Sequence, residues 1–237
     1  MPTLRDPDLF LKPLADAFFT FTANDGPEST SVRNAHFFYA AKFASIARLI
    51  ELDRIIPEFD ENSQPPQTQE KTLQENQLLY GFFTNAVSAV ESFCFAAYFL
   101  GTALEKLEFD PEPKLRGIDP ERTLSCFSVL DSNSPFTQAL QRCIRSQEYK
   151  TTTAIRNMLS HRITPGRTYR PMVSLQSWNL DQWHEGDWSR AVPWGPQEEF
   201  QIETKSLIEV RDWTDQQLDL LGKELERLAA SKGLSQK

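Results

Sequence analysis

Residues 78–104 read LLYGFFTNAVSAVESFCFAAYFLGTAL, an apolar run whose one charge, Glu91, sits near its middle. The run is long enough to cross a bilayer. Its interior argues for a different reading. Glu91 stands where an ionised group would be most costly in lipid, and Thr84, Asn85, Ser88 and Ser92 surround it. No basic cluster flanks the run. A helix that is apolar nearly all round, outside a membrane, is the central helix of a bundle. That reading makes the chain all-α, an up-and-down helical bundle.

The flanking segments extend the same pattern. Before the run, Ser29, Thr30 and Ser31 offer an N-cap. Phe38, Ala41, Ile46, Leu49 and Ile56 then recur largely every three or four residues, as one buried helical face requires. This predicts a helix ending at Pro57, followed by a polar linker over 57–68, PEFDENSQPPQT. A shorter helix is expected over 7–22, with Pro13 in its first turn. The central helix is expected from about Gln69 to Leu107, its first third polar and exposed. After an irregular connector over 108–133, with room for a short helix after Asp119-Pro120, Ser134-Pro135 starts a further helix or helix pair. Pro165-Gly166 ends it. A last helix begins near Thr204, with Leu207, Leu218, Leu221, Leu225 and Leu228 on one face, suited to the bundle or to a dimer contact.

Residues 164–202 differ in kind. They carry Trp178, Trp183, Trp188 and Trp194, with four prolines and three glycines. RPMVSLQSW and EEFQIET have the composition of short strands. The segment reads as a Trp-rich insertion before the last helix, open to a β-hairpin. Its tryptophans either cover a small satellite core or make a ligand or partner surface. The whole chain reads as one domain, 1–237, with a helical core over about 29–162 and 204–232.

Composition bounds the function. The chain has 237 residues, 40% hydrophobic and 24% charged, and a net charge of −8. That is ordinary globular composition, and it argues against uniform coating of nucleic acid or membrane surfaces. Cys94, Cys126 and Cys143 are widely spaced, odd in number and without a CxxC pair. They fit a reducing compartment and buried thiols rather than disulfides or a cysteine zinc site. The N-terminus lacks the basic start and apolar run of a signal peptide, so a cytoplasmic location is expected. No Gly-rich phosphate loop, HExxH or GxSxG motif occurs, and no cofactor or metal is expected. His36 reads as packed or solvent-facing. His184 stands among Asp181, Glu185 and Asp187, too little for a metal site.

One segment carries chemistry: AIRNMLSHR, 154–162. On a helix Asn157 and His161 share a face at i and i+4. Arg156 and His161, five apart, lie about 140° apart, within the swing of a long arginine. One polar face can thereby hold a fixed cation, an amide and an imidazole. A guanidinium grips phosphate in fork geometry and stabilises charge developing there. An imidazole gives and takes protons near neutral pH. In RNA the 2′-hydroxyl is a built-in nucleophile, which His161 would deprotonate. Around the motif, residues 142–170 hold seven basic residues (Arg142, Arg145, Lys150, Arg156, Arg162, Arg167, Arg170) against Glu148 alone. That is a net +6 inside a chain of net −8, so the remainder carries −14. Either a phosphate-binding strip or an ordinary solvated helix face gives this pattern. Glu91, the isolated carboxylate of the central run, either reaches Arg156 or His161 across the bundle or lies at its surface.

With Arg156-Asn157 followed by His161, and NAVSAVESFCFAAYFLG as an earlier core helix, the chain resembles the HEPN superfamily over roughly residues 30–162 and the last helix. The resemblance implies an HEPN-like bundle, a homodimer with two motifs in one cleft, and metal-independent endoribonuclease activity. It also implies a toxin–antitoxin or defence setting, with an antitoxin or other partner protein. Catalysis would fall to Arg156 and His161, with Asn157 orienting them. Beside the resemblance, the basic strip itself points to Arg145, Arg162 and Arg167 as phosphate or RNA contacts, and the isolated carboxylate to Glu91 as a support behind the site. The chain is longer than a minimal member and the Trp-rich insertion is not part of the motif. Two other readings stand beside this one: a non-catalytic HEPN-like module binding nucleotide, RNA or protein, and a structural helical protein.

Overall fold

The computed structural model describes residues 6–64, 68–105, 108–160 and 202–234 in full, and the backbone alone of 167–170, 187–194 and 198–201. Among the described residues the helices are α1 (Lys12–Thr22), α2 (Thr30–Ser63), α3 (Gln69–Leu104), α4 (Pro120–Asp131), α5 (Pro135–Arg145), α6 (Gln147–Ser160) and α7 (Thr204–Ser231). Local chemistry starts most of them. The side chains of Ser29, Thr68, Asp119 and Ser134 each accept the N–H three residues on, and Ser146 accepts from the Tyr149 N–H. Proline stands in the first turn of α1, α4 and α5, where its missing N–H is not needed.

The body is an all-α bundle around α3. From Phe82 to Thr102 that helix is buried on nearly every side. It packs on α2, α4, α6 and α7. Helices α2 and α3 run antiparallel: Asn34 Nδ2 donates to Thr102 Oγ1 at 3.3 Å near one end, and Arg48 Nε to Ser92 Oγ at 3.2 Å nearer the middle. Helix α7 lies antiparallel to α2 in turn, with Thr204 Oγ1 on Asp60 (2.7 Å) and Arg211 on Asp53 (3.4 Å). Helix α3 is long and apolar enough to cross a membrane, and 67% of its most apolar stretch is buried inside the bundle.

Helix α2 corrects one expectation. It does not stop at Pro57 but continues to Ser63, with that proline inside it. A proline there removes one helical hydrogen bond and costs about 3 kcal/mol. Ile55 and Phe59, both 2% exposed, bury the helix on either side of it. Core contact outweighs the lost bond, so the expected polar linker shrinks to the few residues before α3.

A chain of rings joins the elements. Tyr98 of α3 meets Phe109 of the connector (5.4 Å), Phe109 meets Phe127 of α4 (4.9 Å), and Phe127 meets Phe136 of α5 (4.7 Å). Phe109 fits because residue 101 is glycine: a Cβ there would lie 2.3 Å from the ring. The segment before α1 is held differently. Lys42 of α2, with no exposed surface, sends its Nζ to the Pro7 carbonyl at 3.0 Å and lies 4.7 Å from the Tyr39 ring centroid. Burial lowers its pKa. Nearby Leu11, buried and without glycine's freedom, adopts φ 51° at the start of α1.

Three short strands pair antiparallel in the order β1 (Arg167–Arg170), β2 (Asp187–Trp194) and β3 (Glu198–Gln201). Arg167 stands opposite Arg190, and Trp194 opposite Glu198. The remainder of the expected insertion, including Trp178, Trp183 and His184, lies outside the described residues, as do the side chains of Trp188 and Trp194.

All three cysteines are free and buried. Burial raises the Cys94 thiol well above its usual range and pushes Cys143 up to about 12; it raises Tyr149 of α6 as well. A raised folded pKa adds stability that is complete below the unfolded value and is lost as pH climbs through the folded one. For Cys143 that window runs from about 9 to about 12. Thermal midpoints should therefore hold to pH 9 and fall above it, with Cys143 alone removing about 1.4 kcal/mol of stability per pH unit within its window. A flat midpoint between pH 9 and 11 would contradict this.

Candidate functional site

The site forms where α3, α2, α6 and the start of α4 meet. Arg156 lies in the last turns of α6, on the side that carries buried Thr152 and Ile155. Its Nη1 is 3.4 Å from Glu91 Oε1 of α3. The two side chains are 24% and 37% exposed, so the pair is half-buried, and water screening limits it to about 1 kcal/mol. Arg156 Nε is buried with no hydrogen-bond partner among the described residues. Ser88, one helical turn before Glu91, offers its hydroxyl to Oε2 at 3.5 Å.

On the other side of Glu91 opens a cleft of about 350 Å³. Arg48, Ser88, Glu91, Ser92, Phe95 and Asp119 line it. Arg48 spends its Nε on Ser92, and no carboxylate lies within ion-pair distance of it among the described residues. Asp119 caps α4, accepting from Arg122 N–H at 2.7 Å. The cleft thus holds a guanidinium whose terminal nitrogens have no partner among the described residues, two hydroxyls, two carboxylates and an aromatic edge. Such a set takes an anion on the guanidinium and hydroxyl or amine donors on the carboxylates.

The residues named from sequence fall in different places. Glu91 and Arg156 meet. Asn157 is exposed and makes no hydrogen bond among the described residues. Arg145, the last residue of α5, pairs with Glu121 of α4 at 2.9 Å, both 57% exposed. Arg142 and Lys150 are exposed on α5 and α6. His161 and Arg162 lie outside the described residues, as does the Arg167 side chain. His36 is exposed, its ring 5.3 Å from that of Phe19. Among the described residues no three His, Cys, Asp or Glu side chains are grouped to hold a metal ion.

Arg48 is the residue that sequence reasoning missed. Its signal was present: in AAKFASIARLI it is a charge set among apolar residues, as Glu91 is in the next helix. Only the antiparallel register of α2 and α3 brings the two to one cleft.

Comparison with family models, with curated proteins and with solved structures finds no match to this chain.

Proposed function

We infer that the chain is a metal-independent endoribonuclease of HEPN type. One observation carries the reading: the arginine of the Arg156-Asn157…His161 motif is held half-buried against Glu91, and Glu91 also lines a polar cleft with Arg48, which has no carboxylate within ion-pair distance among the described residues. In the proposed reaction His161 takes the proton of an RNA 2′-hydroxyl. That oxygen bonds to the adjacent phosphorus, the bond from phosphorus to the 5′-oxygen breaks, and the 5′-oxygen takes a proton. The products are a 2′,3′-cyclic phosphate and a 5′-hydroxyl. Arg156 neutralises the charge gathering on the phosphoryl oxygens. Two chains acting as a homodimer, in the cytoplasm and with no membrane association, complete the proposal; sedimentation at micromolar concentration tests the dimer.

The test is cleavage of single-stranded RNA in EDTA by the wild type, Arg156→Ala and His161→Ala, with far-ultraviolet dichroism as the check on folding. Loss of cleavage in both folded variants supports the reading, and undiminished cleavage in either overturns it. The exposed, unengaged Asn157 and the neutralised Arg156 favour a second reading, a non-catalytic HEPN-like module. Wild type that binds RNA without any cleavage would select it.

A further inference from the structure

Helix α2 carries a guanidinium that the bundle leaves without a carboxylate. Among the described residues the other half-buried arginines each meet one: Arg156 meets Glu91 and Arg211 meets Asp53. Arg48 is half-buried too and has no ion pair among the described residues. Its Nε donates to Ser92 Oγ of α3 at 3.2 Å. That bond pins the plane of the group and leaves its two terminal nitrogens as a fork. The terminal nitrogens have no partner among the described residues, and unlike the Arg156 Nε they keep accessible surface. A ligand in the cleft can therefore touch them.

The carboxylates of the cleft are committed elsewhere. Glu91 is held by Arg156 on one oxygen and by Ser88 on the other. Asp119 Oδ1 accepts the Arg122 N–H at the start of α4. A fork held partly out of water, with no carboxylate of its own, is matched by an oxyanion, and phosphate takes both prongs.

The other walls of the cleft define what carries that phosphate. Glu91 and Asp119 set two negative charges beside one cation, so a polyphosphate or a duplex with its two phosphate rails is repelled. Asp119 is exposed, and its Oδ2 has no partner among the described residues. A carboxylate oxygen in that position accepts from a hydroxyl, as acidic side chains do from ribose. Ser92 accepts from Arg48 and so keeps its own hydrogen to donate. Phe95, Ile118 and Pro120 give an apolar wall for the C–H face of a ring. The volume, about 350 Å³, is at the small end of ligand sites and suits one sugar phosphate. We propose that the Arg48 cleft binds a single ribose phosphate, free or within a strand, with the phosphate on the Arg48 fork and a ring hydroxyl on Asp119. The choice of ribose among hydroxylated phosphates rests on the ribonuclease reading.

The test is calorimetric titration of the full chain, at low salt and in EDTA, with ribose 5-phosphate, inorganic phosphate and ribose. Wild type should bind ribose 5-phosphate about tenfold more tightly than inorganic phosphate, the worth of one hydrogen bond to a carboxylate. Ribose alone should not bind. Arg48→Gln should lose both phosphates, with dichroism as the check on folding. Arg48→Lys keeps the charge without the fork and should bind several-fold more weakly than wild type. Asp119→Ser preserves the cap of α4, since serine caps as aspartate does, and should erase the difference between the two phosphates. Equal binding of the two by wild type, or undiminished binding by folded Arg48→Gln, overturns the proposal. So does a preference for ribose 5-phosphate that survives in Asp119→Ser. An RNA tetranucleotide that displaces ribose 5-phosphate from His161→Ala assigns the site to the strand, and one that does not assigns it to the free sugar phosphate. The RNA-cleavage assay decides the other question separately. Ribose 5-phosphate binding without cleavage leaves the site and removes the nuclease, and cleavage without that binding does the reverse.

Discussion

Phe127→Ala is expected to lower the free energy of unfolding by about 3–5 kcal/mol, the range for truncating a fully buried aromatic. Phe127 has no exposed surface. Its ring stands between Phe109 at 4.9 Å and Phe136 at 4.7 Å, both also fully buried. The variant removes the middle of the ring chain that ties α3, the connector, α4 and α5 together. Phe109 is trapped against Gly101 and Phe136 is anchored by its helix, so neither can fill the space. Domains of this size carry about 5–15 kcal/mol in all, so the loss approaches the whole margin. Urea titration followed by dichroism measures it. Val129→Ala is the control, on the same helix but 64% exposed, and should stay within about 0.5 kcal/mol of wild type. Equal effects of the two substitutions would mean that the ring chain does not hold α4 in place. Because Asp119 and Pro120 at the head of α4 line the Arg48 cleft, the same variant should also loosen anion binding there.

What the sequence reveals of this fold follows from how local each determinant is. Helix α3 is legible because its burial is written continuously from Phe82 to Thr102, and no strand or loop sustains such a run. Ser134-Pro135 is legible because a cap and a first-turn proline act within four residues. Pro57 misleads for the same reason: its cost is local, while the burial of Ile55 and Phe59 that outweighs it is tertiary. At the site, Glu91 announces itself as a charge needing a partner. Its choice of Arg156 depends on the packing of α6 on α3, which no spacing encodes. Arg48 and Asn34 matter only through contacts across the α2–α3 interface, with Ser92 in one case and Thr102 and Pro111 in the other. Residue identity at either position carries no trace of that register.

Arg156→Ala should reduce EDTA-resistant RNA cleavage by about 10²–10³-fold, the usual effect of removing one donor aimed at developing charge. His161→Ala should reduce it by about 10²–10⁴-fold, the share of a positioned acid or base. Stability separates the chemistry from the scaffold. Losing Arg156 leaves Glu91, 37% exposed, without its cation, and water still reaches the carboxylate, so unfolding should shift by only about 1 kcal/mol. Arg156→Lys sharpens the argument. A lysine keeps the charge but offers a point donor, and it cannot hold Glu91 with one nitrogen while presenting others to a phosphate as a guanidinium fork does. It should recover the stability and little of the rate. Glu91→Gln then tests what the carboxylate does. Its amide oxygen still accepts from Arg156, so the arginine stays in place, while the negative charge that competes with phosphate is gone. KM for RNA should fall several-fold with kcat little changed. If kcat instead collapses in Glu91→Gln while folding is intact, the carboxylate takes part in the chemistry and the division of labour between Arg156 and His161 argued above is wrong.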